Sequence, residues 1–177
     1  MATPSISKAR LVFGLYLLVL IVVLELALHY FHLPAWPAFM VMILFFEAHM
    51  NRQRAPHLLV GALVGVACYV ATVHFVQLAA PTLGLFTAKL LFICLVVYAI
   101  VALGEVLPVL FNNYAFLFYL VSGLAARDAT LSPAPLTWAA VALGGGALVI
   151  LGIGVIGRLV AASAAPAAPA PESGAEH

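Results

Sequence analysis

The sequence predicts an all-α, polytopic transmembrane helical bundle, and three observations predict it. The 177 residues are 66% hydrophobic and only 7% charged, against roughly 25% charged in ordinary soluble domains. The apolar residues gather into runs of about 20, long enough to cross a hydrocarbon core of roughly 30 Å. The polar residues gather into short breaks, several marked by proline: Pro34, Pro56, Pro81, Pro108, Pro133 and Pro135. A soluble fold would lack polar residues to cover its outside, whereas lipid accepts an apolar exterior.

In chain order the reading gives a cytoplasmic N-terminal segment (1–10), a transmembrane domain (11–160) and a disordered, Ala/Pro-rich cytoplasmic tail (161–177). The tail lacks the apolar residues to bury a core. Lys8 and Arg10 precede a long apolar run, as in a signal peptide, but no clear small-x-small cleavage site follows it, so this run is expected to stay as the first span. Six spans are expected, near 11–32, 35–50, 57–79, 84–103, 107–126 and 135–157, with five as the alternative if the fourth and fifth form one broken helix.

Basic residues orient such a chain. With six spans and the N-terminus inside, Lys8, Arg10, Arg52, Arg54 and Arg158 lie at inner ends, and Arg127 alone lies in an outer loop. Both termini are therefore expected in the cytoplasm. The net charge of +1 gives no ground for binding nucleic acid. Cys68 and Cys94 lie inside apolar runs and read as small apolar residues rather than ligands or nucleophiles.

The two halves of the chain have a similar layout. Leu33-Pro34 opens LPAWPAFMVMILFF, and Leu107-Pro108 opens LPVLFNNYAFLFYL; each follows a long apolar span and precedes a glycine-containing one. Three spans per half would make the second half inverted. Transporters often use inverted repeats, with the solute site where the halves meet. Spans two and five would then be the paired central helices. Both are irregular: Pro34 and Pro37 interrupt one start, and Pro108 with Asn112-Asn113 interrupts the other.

Ionisable groups at membrane depth are costly, so they tend to face the interior, pair, or serve function. Glu25, His29 and His32, spaced i, i+4, i+7, share a helix face on span one. His74 and Lys89 fall at a similar outer depth. Three readings are open here: a Glu25–Lys89 ion pair locking helices together, a solute or proton path, and, with least support, a metal site built from Glu25, His29 and His32. On the inner side Glu47, His49 and Glu105, with Arg52, Arg54 and His57, form either an interfacial anchor or a cytoplasmic vestibule. Asn112 and Asn113 point about 100° apart on a helix, so one is expected to bond a neighbouring helix and the other to line a cavity, with Tyr114 beside them. Trp36 and Trp138 fall near outer interfaces, where an aromatic belt is expected; Trp36 is also placed to shape an aromatic constriction.

Small residues allow close helix approach in lipid. Gly61 and Gly65 form a G-x-x-x-G on span three, and Gly144, Gly145 and Gly146 stand on span six. They are expected to pack helices within one subunit or between copies of a homo-oligomer. No nucleophile–base set, phosphate loop, dinucleotide fingerprint or Cys/His metal pattern is present, so neither an enzyme nor a bound cofactor is expected.

The stretch from Leu33 to about Arg158 resembles a family of small bacterial inner-membrane proteins known as domain of unknown function 1097. The likeness is carried by Leu33-Pro34-Ala35-Trp36-Pro37-Ala38-Phe39, by Phe45-Phe46, by the Pro108, Phe111 and Phe116 segment, and by the glycine-rich last span. The resemblance implies a compact polytopic fold and transport. From the residues themselves, the leading expectation is a small transporter or channel for a polar solute or ion. The rival is a non-transporting membrane scaffold that binds a partner.

Overall fold

The computed structural model describes residues 7–128 and 134–164. Among them there are six α-helices and no strand: α1 (Lys8–Tyr30), α2 (Trp36–Glu47), α3 (Ala55–Leu83), α4 (Leu85–Leu103), α5 (Asn113–Ala125) and α6 (Pro135–Ala164). A short 3-10 turn, Arg52–Arg54, precedes α3.

Four helices, α1, α3, α4 and α6, are long and apolar enough to cross a membrane. The protein is thus an integral membrane protein by length and composition of its helices. Six spans were expected; six helices are present, four of them long and two, α2 and α5, short. At 1.5 Å per residue, the 12 residues of α2 reach about 18 Å and the 13 of α5 about 20 Å, well short of the roughly 30 Å hydrocarbon core. The apolar sequence around each is longer, but local chemistry stops the helix.

Those stops can be followed bond by bond. After α1, His32 takes φ 54°; its N–H bonds His29 O (3.0 Å) and the Leu33 N–H reaches back to Leu28 O (2.9 Å). This paired pattern is a Schellman cap, in which a left-handed residue closes the helix, and Pro34 follows to prevent resumption. After α2, His49 (φ 55°) does the same, with Met50 N–H bonding Phe45 O at 2.9 Å. Pro37 and Pro56 sit in the first turns of α2 and α3, where a missing N–H costs nothing. Gly84, at φ 80°, is the single residue between α3 and α4 and folds them into a hairpin.

α3 and α6 pack against each other. α1 packs on α6, α4 packs on α3, and the short helices fill the remaining faces: α2 lies against α6 and α5 against α3. Each short helix runs parallel to its long partner. Ala38 and Val41 meet Gly145 and Gly146, and farther along Arg52 meets Gly154; likewise Tyr114 meets Gly61 and Phe118 meets Gly65. A Cβ at Gly65 would stand 2.5 Å from both Ala115 O and Phe118 Cβ. Glycine is what lets the two backbones approach that closely. Gly144, expected to pack as well, has nothing within 4 Å of where its Cβ would be, and it is exposed.

The core is built from the two short helices together with α3 and α6. Val41, Phe45, Ala115 and Phe118 are essentially inaccessible, as are Leu58 of α3 and Val149 of α6. α1 and α4 are peripheral and bury few residues. The expected tail begins too early: residues 161–164 continue α6, and 165–177 lie outside the described residues, as do 1–6 of the N-terminal segment.

Candidate functional site

The two short helices start at opposite ends of the bundle, and the polar groups inside it gather around them. Asn112 caps α5: its Oδ1 accepts the Ala115 N–H at 3.0 Å. Its Nδ2 donates to Pro108 O (2.9 Å), Val109 O (3.1 Å) and His57 O on α3 (3.3 Å). One side chain therefore holds the preceding turn, the start of α5 and the start of α3 together. Asn113 is exposed and Tyr114 is buried. Asn112 thus makes the interhelical bond expected of one amide, and Asn113 lines no enclosed cavity among the described residues.

One turn and more along α5, Tyr119 meets α3. Its hydroxyl and Thr72 Oγ1 are hydrogen-bonded at 3.1 Å, and Thr72 also donates to Cys68 O at 2.7 Å. Both residues are buried. Between them and the start of α2 stands an aromatic cluster drawn from four helices. The rings of Trp36 and Trp138 are 5.5 Å apart and nearly edge-to-face, Trp36 and Phe118 are 6.2 Å apart, and Tyr69 and Trp138 5.7 Å. Trp138, expected in an interfacial belt, is instead only 2% exposed and belongs to this cluster. Its ring fills the space where α6 begins beside the middle of α3, and that burial outweighs an interfacial position.

Three buried polar atoms have no hydrogen-bond partner among the described residues: Trp36 Nε1, Ser122 Oγ and His57 Nδ1. Such atoms are rare and call for an explanation. Ser122 is fully buried, one turn beyond Phe118 on the same face of α5, and the Phe118 ring touches Trp36. Sequence reading singled out Trp36 and passed over Ser122. A lone serine in an apolar run was the available signal.

Apart from His57, the ionisable residues singled out from the sequence lie elsewhere. Glu25 and His29 on α1, His74 on α3 and Lys89 on α4 are all exposed on the outside of the bundle. Glu25 and Lys89 form no ion pair, because α1 docks on α6 and α4 docks on α3. His32 lies beyond α1 in its capping turn rather than on the helix face shared by Glu25 and His29. Glu47, His49 and Glu105 are likewise exposed, and His49 serves the end of α2. Among the described residues no three His, Cys, Asp or Glu side chains gather closely enough to hold a metal ion.

Compared with protein-family models, with curated proteins and with solved structures, the chain matches none. The site is therefore read from its own geometry.

Proposed function

We propose that the protein is a small transporter or channel for a polar solute or ion, with its path between the first three helices and the last three. The observation that carries this reading is the pair of half-length helices. α2 and α5 start from opposite ends and run in opposite senses, and each seats on glycines of the long helix from the other half. The main pairings repeat when α1, α2 and α3 are exchanged with α4, α5 and α6: α1–α6 becomes α4–α3, and α2–α6 becomes α5–α3. That exchange supports a three-plus-three inverted repeat. Broken or shortened helices at the repeat interface are where such transporters hold their solute. Trp36 Nε1 and Ser122 Oγ, buried and unpartnered near the contact of α2 with α5, supply a donor and a hydroxyl for a small polar guest. The likeness to domain of unknown function 1097 belongs to the same proposal; its motifs precede and open the two short helices.

The cytoplasmic placement of both termini rests on the basic bias of the inner ends. Assembly as a homo-oligomer is supported by the exposed Glu25 and Lys89, which stand on the two peripheral helices and carry opposite charges. A partner that covers them avoids a lipid-facing charge.

The same exposed charges favour a second reading, a scaffold for another membrane protein. Flux into proteoliposomes separates the two. Transport predicts uptake of at least one small ion, acid, amide or amine above empty liposomes, reduced by Ser122→Val. Flux equal to that of empty liposomes across the panel, together with a stoichiometric partner lost on Glu25→Leu or Lys89→Leu, would establish the scaffold instead.

A further inference from the structure

We propose that a groove at the end of the bundle bearing both chain termini's helices binds one anionic phospholipid, its phosphate on Arg52 and Arg158 and an acyl chain on the apolar wall. This inference does not depend on whether the protein transports.

The groove exists because α2 is short. α2 stops at Glu47, while α6 continues to Ala164 with the first turns of α1 running antiparallel beside it. Among the described residues nothing fills the space under the end of α2, and a cavity of about 610 Å³ remains, open on one side. Phe13 of α1, Phe45 of α2 and Ile153 and Val160 of α6 form its walls. Its polar lining is cationic: Arg52 and Arg158, with no carboxylate among the lining residues.

One arginine lies against α6 and the other belongs to it. The Arg52 guanidinium lies directly against Gly154, where any Cβ would collide with it. Arg158 follows Gly154 by four residues, one turn along the same side of α6, and both arginines line the groove. A phosphodiester is small enough to sit between two such heads and accept hydrogen bonds from both, and guanidinium forks suit its oxygens. Lys8 and Arg10 flank Ala9, which also lines the groove, and raise the local positive potential. Basic pockets between helices at a membrane surface favour anionic headgroups. An apolar trough continuous with that headgroup site fits a lipid better than free phosphate, which has no use for the walls.

Native mass spectrometry of the purified full chain tests this. Detergent-solubilised protein is supplied with phosphatidylglycerol or phosphatidylcholine of identical acyl chains. The expected result is one retained phosphatidylglycerol, at about tenfold higher occupancy than phosphatidylcholine. The R52Q/R158Q double variant should erase that preference. Gly157→Phe, at a position with nothing within 4 Å, should fill the groove and cut retention while leaving both arginines and the fold in place; a thermal melt without lipid verifies the fold. If R52Q/R158Q does not fold, Gly157→Phe and the lipid comparison decide. Equal retention of the two lipids, or unchanged retention in Gly157→Phe, overturns the proposal. Millimolar inorganic phosphate raising the melting temperature as much as phosphatidylglycerol also overturns it, in favour of a free-anion site.

Discussion

Replacing Gly65 by alanine sets two effects against each other, and the structure says which wins. In a helix interior alanine is favoured over glycine by about 1 kcal/mol, so a free-standing α3 would gain. Docked against α5, the new methyl would lie 2.5 Å from Ala115 O, 2.5 Å from Phe118 Cβ and 2.7 Å from Tyr119 N. Two of these are backbone atoms of a helix, so no side chain can rotate away and α5 itself must move. Overpacking of this kind costs about 1–3 kcal/mol. It would also pull Tyr119 from Thr72, a bond worth roughly 0.6 kcal/mol on the average measured within membranes. The net expectation is a loss of about 1–2 kcal/mol, read as a fall of roughly 2–8 °C in melting temperature for a chain of this size. Thermal unfolding in one detergent, followed by intrinsic fluorescence, provides the assay. Gly144→Ala is the internal control: it meets nothing within 4 Å and should melt at or slightly above the parent. A Gly65→Ala melting point equal to or above the parent's would refute the close seating of α5 on α3.

Two further substitutions test the ends of the short helices. Asn112→Ala removes the cap of α5 and the bond to His57 O; a cap alone is worth about 1 kcal/mol, so the melting temperature should fall by roughly 2–4 °C or more, and Asn112→Asp, which keeps the accepting oxygen but sets a carboxylate oxygen against the Pro108, Val109 and His57 carbonyls, should not restore it. His49→Gly should leave the melting temperature unchanged or raised, since a non-glycine residue in the left-handed region costs about 1–2 kcal/mol; a fall of several degrees would return His49 to a polar role at the vestibule.

Class and breaks were legible in the sequence because they depend on composition and on proline. Pro34, Pro37 and Pro108 mark the irregular starts of α2 and α5, and Gly61, Gly65, Gly145 and Gly146 were visible as small-residue faces. Facing was not legible. In a soluble helix the apolar stripe points to the core, but in lipid both the core and the exterior are apolar, so periodicity does not say which side is inside. The shared face of Glu25 and His29 followed from their spacing, yet nothing local showed that it points outward. Trp138 failed for a related reason: an interfacial tryptophan and one buried at a helix start have the same sequence surroundings. The lengths of α2 and α5 were not legible because the backbone geometry that bounds them leaves little compositional trace: α2 ends at a left-handed His49, and α5 starts only at Asn113, where Asn112 caps it.

The seating of α2 on α6 has a consequence for biosynthesis. Roughly ninety residues separate Glu47 from Pro135, so at 5–20 residues per second the ribosome delivers the partner about 5–20 s after α2 emerges. During that interval a 12-residue apolar helix, too short to cross the bilayer alone, has no seat. α5 faces no such delay, because α3 is already made when it appears. The nascent chain therefore has a built-in asymmetry: its second half completes on a finished neighbour, while its first half must be sheltered, by the insertion machinery or at the membrane surface, until the last helix arrives.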